Sequence, residues 1–299
     1  MFKNILVPLD GSKLSEAALI PAAYLADKLD SSVTLLHIIE QDAPAEVHKE
    51  RHLTRPDEAE AYLKETARRA FPSKVKVETH VHVAPVSDVA RSIVEHATTE
   101  FRPDLIVTCT HGRGGMRDVL FGSIAQQIVS QGTTPLLFVK PGIRRFKMDT
   151  LLIPLDPDSI HDASLSVAET FAKTFDTELH LFSVIPTFST LKDEQAAAGN
   201  FMPGAASAVL DMKEENARKD LQMHLDQFHT SGWKASAEIV RGDPASLVVK
   251  AAEQSGVDMI ILSTHRRAGM GAFWARSVAP KVAQKTKTPL LLIPLSSKE

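Results

Sequence analysis

Residues 102–123, RPDLIVTCTHGRGGMRDVLFGS, return as residues 256–277, GVDMIILSTHRRAGMGAFWARS, at an unbroken offset. Each stretch is followed by a TPLLFV or TPLLLI run, so the chain is a tandem repeat. In both copies a short apolar segment, DLIVT or DMIIL, leads into a polar loop. That is the pattern of a buried strand ending in a turn. The copies differ where ligand chemistry would sit: the first has Gly112, Gly122 and Ser123, and the second has Arg266, Arg276 and Ser277.

Working outward, the first copy opens with NILVPLD, an apolar run closed by Pro8, Asp10 and Gly11, which reads as a buried strand and a turn. Ser12 is placed to cap a helix through KLSEAALIPAAYLADKL, whose middle Pro21 is expected to strain. SVTLLHII is the second strand, and residues near 56–70 form a second helix. KVKVETHVHV alternates strictly, which predicts an edge strand with Val75, Val77, Val81 and Val83 turned inward and a wetter opposite face. A helix through SDVARSIVEHA, the strand DLIVTCT, the glycine loop, a helix through SIAQQIVSQ and the strand LLFVK complete the copy. The second repeats the plan through TLLIPLD, LHLFSVI, AEIV, DMIILST and PLLLIPL.

Strands alternating with helices imply right-handed crossovers and a parallel sheet covered on both faces. The predicted fold class is α/β, with two tandem Rossmann-like domains, each a five-stranded parallel sheet with helices on both faces. The domains are expected at 1–142 and 148–296, joined by PGIRRFKMD, a linker short enough to hold the halves against each other. Pro8 matches Pro154, and Asp10 matches Asp156, at a smaller offset than the later repeat, so the second copy carries a net insertion. It is expected in TFSTLKDEQAAAGNFMPGAAS, where residues 187–204 read as a loop, with a lid or partner-docking segment as the sharper alternative.

Lysine plus arginine (34) nearly balance aspartate plus glutamate (37), so the surface lacks the single-sign field that draws nucleic acid or anionic membrane. One cysteine, Cys109, excludes an intrachain disulfide and a cysteine-rich zinc module. MFKNILVPLDGS lacks a signal-peptide h-region, and no apolar run approaches the ~20 residues of a membrane span. These features predict a soluble cytoplasmic protein.

The glycine loop follows an apolar strand and precedes a helix near Ser123, whose positive end and hydroxyl would favour phosphate. In an open parallel sheet a ligand sits beyond the strand carboxyl ends where strand order reverses, here between strands one and four. Asp10, just past strand one, would accept from a ribose hydroxyl or adenine amine, and Ile38, past strand two, would flank the base. The glycines alone also fit ordinary loop and helix-start positions. In the second copy a guanidinium would occupy the phosphate position and pair with Asp156 or Asp258; the alternative is that Arg266, Arg267 and Arg276 grip another anion.

The chain resembles the universal stress protein family of UspA type, in tandem form, whose domains pair a VPLDGS-like turn with a G-x2-G-x9-G-[S/T] loop and a closing TPLLFV strand. The resemblance implies an adenine nucleotide alpha hydrolase-like fold and binding of ATP, or a related adenine nucleotide, with Mg2+. It implies Pro8, Leu9, Asp10 and Ile38 on the adenosine side, and Cys109, His111, Gly112, Arg113, Gly122, Ser123 and Ile124 along the phosphates. Cys109 stands where the family's first glycine stands, and a positive φ there would strain a cysteine by about 1 kcal/mol or more. The resemblance also implies an intramolecular pseudo-dimer through TPLLFVK and TPLLLIP, and pairing of whole chains. A role in stress response, with at most slow ATP hydrolysis, is the expected function.

No residue is assigned a catalytic role, because sequence places no nucleophile or carboxylate beside His37, His111 or His265. Glu78, His80 and His82 share one face of a predicted strand, the best metal candidate in the chain, set against a polar, solvent-facing side; no metal residue is assigned. Two other function classes stay open: a nucleotide-independent interaction scaffold using residues 187–204, and a metal-assisted small-molecule enzyme.

Overall fold

A computed structural model describes residues 1–47, 50–109, 123–156, 163–191, 201–265 and 278–295. These residues cluster in two compact units, Met1–Lys147 with Thr264–Glu299, and Met148–Ser263. The fold is a mostly parallel α/β sheet with helices.

The first unit begins with strand β1 (Asn4–Pro8), a 3-10 turn (Ser15–Ala18) and helix α1 (Leu19–Leu29). Pro21 lies in the first turn of α1, where a missing N–H breaks no intrahelical bond, so the expected mid-helix strain does not arise. Strand β2 (Ser32–Glu40) follows, then two two-residue strands, β3 (Glu46–Val47) and β4 (Glu50–Arg51). Helix α2 (Pro56–Ala70) carries Pro56 at its start, Asp57 and Glu58 in its first turn and Arg68 and Arg69 in its last, which complements the helix dipole at both ends. Its buried Ala59, Leu63 and Thr66 recur at helical spacing.

Strand β5 (Val77–Val86), helix α3 (Val89–Glu95), a single π-helical turn (His96–Glu100), strand β6 (Leu105–Cys109), helix α4 (Ser123–Gln131) and strand β7 (Leu136–Val139) complete this stretch. Five strands run parallel in the order β5-β2-β1-β6-β7, with β5 at the edge as expected. Strand order therefore reverses between β1 and β6. The central strands supply the core: Leu6, Val7, Leu35, Val107 and Leu137 are fully buried. Val83, expected inward, is 61% exposed, because it lies where β5 bulges between the pairs Ile38–His82 and Glu40–Val86.

The second unit contains strand β8 (Thr150–Leu155), helix α5 (Ala163–Phe175), strand β9 (Glu178–Ile185), helix α6 (Pro203–Thr230), strand β10 (Ala235–Arg241), helix α7 (Pro244–Ser255) and most of strand β11 (Met259–His265). Its strands run parallel in the order β10-β9-β8-β11. The copies match in detail: Asp30 and Asp176 both take a left-handed φ before β2 and β9, and Ser31 and Thr177 both donate to the first copy's Phe2 or the second copy's Met148 carbonyl at 2.5 Å.

The insertion is not simply a loop. Residues 203–207 start a helix of 28 residues, against 15 for α2, with Pro203 at its first position. Leu210, Ala217, Leu221 and Phe228 form its buried stripe, and Leu210 and Ala217 pack with Ile185. Residues 192–200 lie outside the described residues.

Helix α8 (Val278–Lys285) and strand β12 (Leu290–Leu295) belong to the first unit. There β12 pairs antiparallel with β7, setting Leu290, Leu291 and Leu292 against Phe138, Leu137 and Leu136. Among the described residues no helix is long and apolar enough to cross a membrane.

Candidate functional site

The carboxyl ends of β1 and β6 flank the point where strand order reverses, the place where an open parallel sheet leaves a crevice. Pro8 is the last residue of β1, and buried Leu9 donates its N–H to the Leu36 carbonyl at 2.9 Å, so the turn stays fastened to β2. The half-buried Asp10 carboxylate accepts from the Ser12 N–H (2.9 Å) and hydroxyl (2.7 Å). Ser12 Oγ accepts in turn from the Ser15 N–H at 3.2 Å, which ties the loop to the start of the 3-10 turn, whose N-cap is Leu14 and not Ser12 as expected. Between them Gly11 has φ +89, and a Cβ there would lie 2.7 Å from Leu53 Cδ1. Only glycine meets both demands.

His37 fastens the crevice floor from β2. Its Nδ1 lies 2.8 Å from the Leu9 carbonyl and its Nε2 3.0 Å from the Leu53 carbonyl. Burial pushes its pKa below the ordinary histidine value, against the opposite pull of those two carbonyls. Ile38 is buried within β2, in register with His82, and not past the strand as expected.

Cys109 ends β6 in register with Val139, with the extended backbone of a strand. It is absent from the positive-φ residues, so the strain expected of a cysteine there does not arise. Burial, with the Asp10 carboxylate second, pushes its thiol pKa up to about 12, and Lys140 acts the other way. Lys140 follows β7, its Nζ buried and without a hydrogen-bond partner among the described residues, and burial lowers its pKa. Asp10, Cys109 and Lys140 thus share one electrostatic neighbourhood at the strand ends. Ser123 opens α4, and Ile124 is 38% exposed beside it. His111, Gly112, Arg113 and Gly122 lie outside the described residues.

Sequence reasoning weighed His37 and assigned it no catalytic role, and it passed over Leu53 and Lys140. Lys140 had a legible signal: it closes the strand beside the glycine-loop strand, and its counterpart in the second copy is Pro294. The counterpart of His37 is Ser183. Asp156 is exposed just past β8, while Arg266, Arg267 and Arg276 lie outside the described residues. Asp258 precedes β11, and its carboxylate accepts from the Asp149 and Thr150 N–H groups at 2.8 and 2.9 Å, at the amino end of that strand. Asp104 grips the Lys3 and Asn4 N–H groups in the same way, at 2.7 and 2.9 Å. Both aspartates are staples of the fold.

A shallow cleft lined by Lys3, Asp27, Asp30, Lys74 and Lys76 lies at the amino ends of the first unit's strands. Its lysines are satisfied: Lys74 by Asp27 (2.8 Å), Lys76 by Glu78 (2.7 Å) and Lys3 by the Leu29 carbonyl (2.5 Å). The Lys76 pair also draws Glu78 away from His80 and His82, whose partly exposed rings pack against His96 of the π-helical turn.

The family model described as "Universal stress protein family" matches residues 1–140 and again 147–294. The chain belongs to the universal stress protein family. A universal stress protein of Mycolicibacterium smegmatis is 23% identical over 307 residues, covering 97% of this chain and 96% of that one. Another, from Methanocaldococcus jannaschii, is 31% identical over 146 residues, 47% of this chain and 83% of its own length. The crystal structure of a universal stress protein from Archaeoglobus fulgidus superposes with a TM-score of 0.70 at 16% identity, over 99% of this chain and 97% of that one. These likenesses establish a tandem universal stress protein with two Rossmann-like domains.

Proposed function

We propose that the chain binds one adenine nucleotide, ATP with Mg2+, in its first copy, and none in its second. The observation that carries this reading is the contrast at equivalent positions: Gly112, Gly122 and Lys140 in the first copy answer to Arg266, Arg276 and Pro294 in the second. In the first copy the described strand ends present acceptors at Asp10 and an ammonium at Lys140 that lacks a partner among the described residues, which suits a ligand with a polar nucleoside end and a polyanionic end. Pro8, Leu9, Asp10 and Ile38 take the adenosine side. Cys109, His111, Gly112, Arg113, Gly122, Ser123 and Ile124 line the phosphates, with the first-turn N–H groups of α4 adding donors. Lys140 joins them as the principal fixed cation, and Mg2+ would offset the remaining phosphate charge.

No side chain is assigned a catalytic role. The nucleotide acts as a conformational or assembly signal in a cytoplasmic stress response. Domains 1–142 and 148–296 form an intramolecular dimer, a reading supported by the antiparallel pairing of β7 with β12, and whole chains pair again.

Calorimetric titration of ATP into the purified chain tests the reading, with an expected stoichiometry of one. Gly122→Arg, which copies the second loop into the first, should abolish binding. Lys140→Ala should weaken it about tenfold or more, the worth of a hydrogen bond to a charged group at about 1.5–3 kcal/mol. Two sites per chain would overturn the silent second copy; none would overturn the proposal.

A further inference from the structure

The imidazoles of His80, His82 and His96 converge in the first unit, with one ligand atom from each inside a sphere of mutual separation no larger than 4.8 Å. Two secondary-structure rules bring them together. His80 and His82 stand at i and i+2 on β5, so both rings leave the same face of the edge strand. His96 arrives from the helical segment crossing that face, its ring centroid 5.2 Å from His80 and 4.9 Å from His82. The chain there departs from α geometry: the Phe101 N–H donates to the His96 carbonyl at 2.9 Å, closing a π-helical turn over His96–Glu100. Such turns are costly insertions that recur at ligand sites.

The tautomer of His96 is set. Its Nδ1–H donates to the Ser92 carbonyl at 2.8 Å, which leaves Nε2 with a bare lone pair. A backbone carbonyl behind a histidine is the usual way a ligating ring is oriented. That bare Nε2 stands 3.6 Å from Glu100 Oε2, and His80 Nδ1 stands 3.7 Å from Glu100 Oε1. Both separations are too long for a hydrogen bond. A positive charge between the carboxylate and the ring nitrogens, carried by a metal ion or by a ring proton, makes this placement favourable. With metal–nitrogen and metal–oxygen bonds of about 2.0–2.2 Å, ligands at tetrahedral positions sit roughly 3.3 Å apart. The two Glu100 contacts are a few tenths of an ångström beyond that value, and the imidazole atoms, up to 4.8 Å apart, would draw together by about an ångström on a bound ion. Phe101 closes the back of the cluster, stacked on His96 at 19° and edge-on to His80 at 72°.

We propose that His80, His82 and His96, with Glu100 as the fourth ligand, form a site for a divalent transition ion of the Zn2+ class. Imidazole and carboxylate donors suit that class, and a hard ion such as Mg2+ would not select three imidazoles. A bound ion ties the edge strand β5 to the π-helical turn that follows α3. The site is separate from the nucleotide reading, because none of its four ligands is a nucleotide contact. It also differs from a grouping by strand alone: Glu78 is paired with Lys76 and takes no part.

The test is a titration of chelator-stripped full-length chain with Zn2+ against a chromophoric competitor, with Co2+ absorption reporting coordination geometry. One Zn2+ per chain, a tetrahedral Co2+ spectrum and a raised melting temperature on loading are expected. His82→Gln and Glu100→Gln change half-exposed groups, so they keep the test valid even if His96→Gln, a buried change, unfolds the chain. His82→Gln should weaken Zn2+ binding by more than the roughly 10- to 100-fold that loss of an outer-shell partner costs. His180→Gln, at an exposed histidine of β9, should leave it unchanged, as should Gly122→Arg. Zn2+ affinity equal in the His82→Gln chain, or no stoichiometric binding at all, would overturn the site.

Discussion

Cys109 closes β6 with an extended backbone and a thiol that burial holds protonated up to about pH 12. An unfolded thiol ionises near 9.0, so between those values the folded chain binds the proton that the unfolded chain releases. The stability contributed by burying the neutral thiol is therefore complete below pH 9 and declines as pH rises toward 12. Two outcomes are expected. Disulfide reagents at pH 8 should label the native chain at the rate of its opening, orders of magnitude below the denatured chain. Cys109→Ala should flatten the fall in stability above pH 9, measured by urea unfolding across a pH series. Fast native-state labelling at pH 8 would contradict the assigned burial. The same residue shows a limit of motif comparison: reading a cysteine where a family has glycine suggested strain, and the strand register that removes the strain is a tertiary fact.

At the scale of elements, the pairing of β7 with β12 rests on apolar side chains with almost no exposure, Leu137 opposite Leu291 at its centre. Leu137→Ala should cost about 2–5 kcal/mol, the range for deleting a buried leucine side chain, read as a lower urea midpoint with an unchanged slope. The strands and α2 were legible because each carries its own signal: an apolar run, an alternation, or a proline start with acidic and basic ends. Helix α6 was misread at its beginning, where Gly204 and small residues suggested a loop although Pro203 stands at an ideal first position. His96 was not legible as a partner of His80 and His82, since only the packing of the π-helical turn against β5 brings it there. His37 was not legible as a brace, because only the pairing of β1 with β2 sets its ring between the Leu9 and Leu53 carbonyls, whereas Lys140 could be read from its place at the end of the TPLLFV run.

At the scale of the whole molecule, the first unit is built from both ends of the sequence, residues 1–147 and 264–299. A fragment ending at Lys147 would lack β12 and expose the edge of β7, whose LLFV is fully apolar. An unprotected apolar edge recruits another strand. Such a fragment should be a homodimer joined by two copies of β7 in light scattering, and adding Lys to that strand, as Leu137→Lys, should return it to monomer. A monomeric fragment with native stability would show that β12 is dispensable to the unit. The same return of the chain sets a timetable for biosynthesis. Val139 leaves the ribosome about 150 residues before Leu290, and at about 5–20 residues per second the gap lasts roughly 8–30 seconds. Throughout that interval the nascent first unit carries an unfinished border, and neighbouring ribosomes on one message hold identical borders within reach. Correct assembly thus depends on the strand from the same chain arriving before a strand from the next one does.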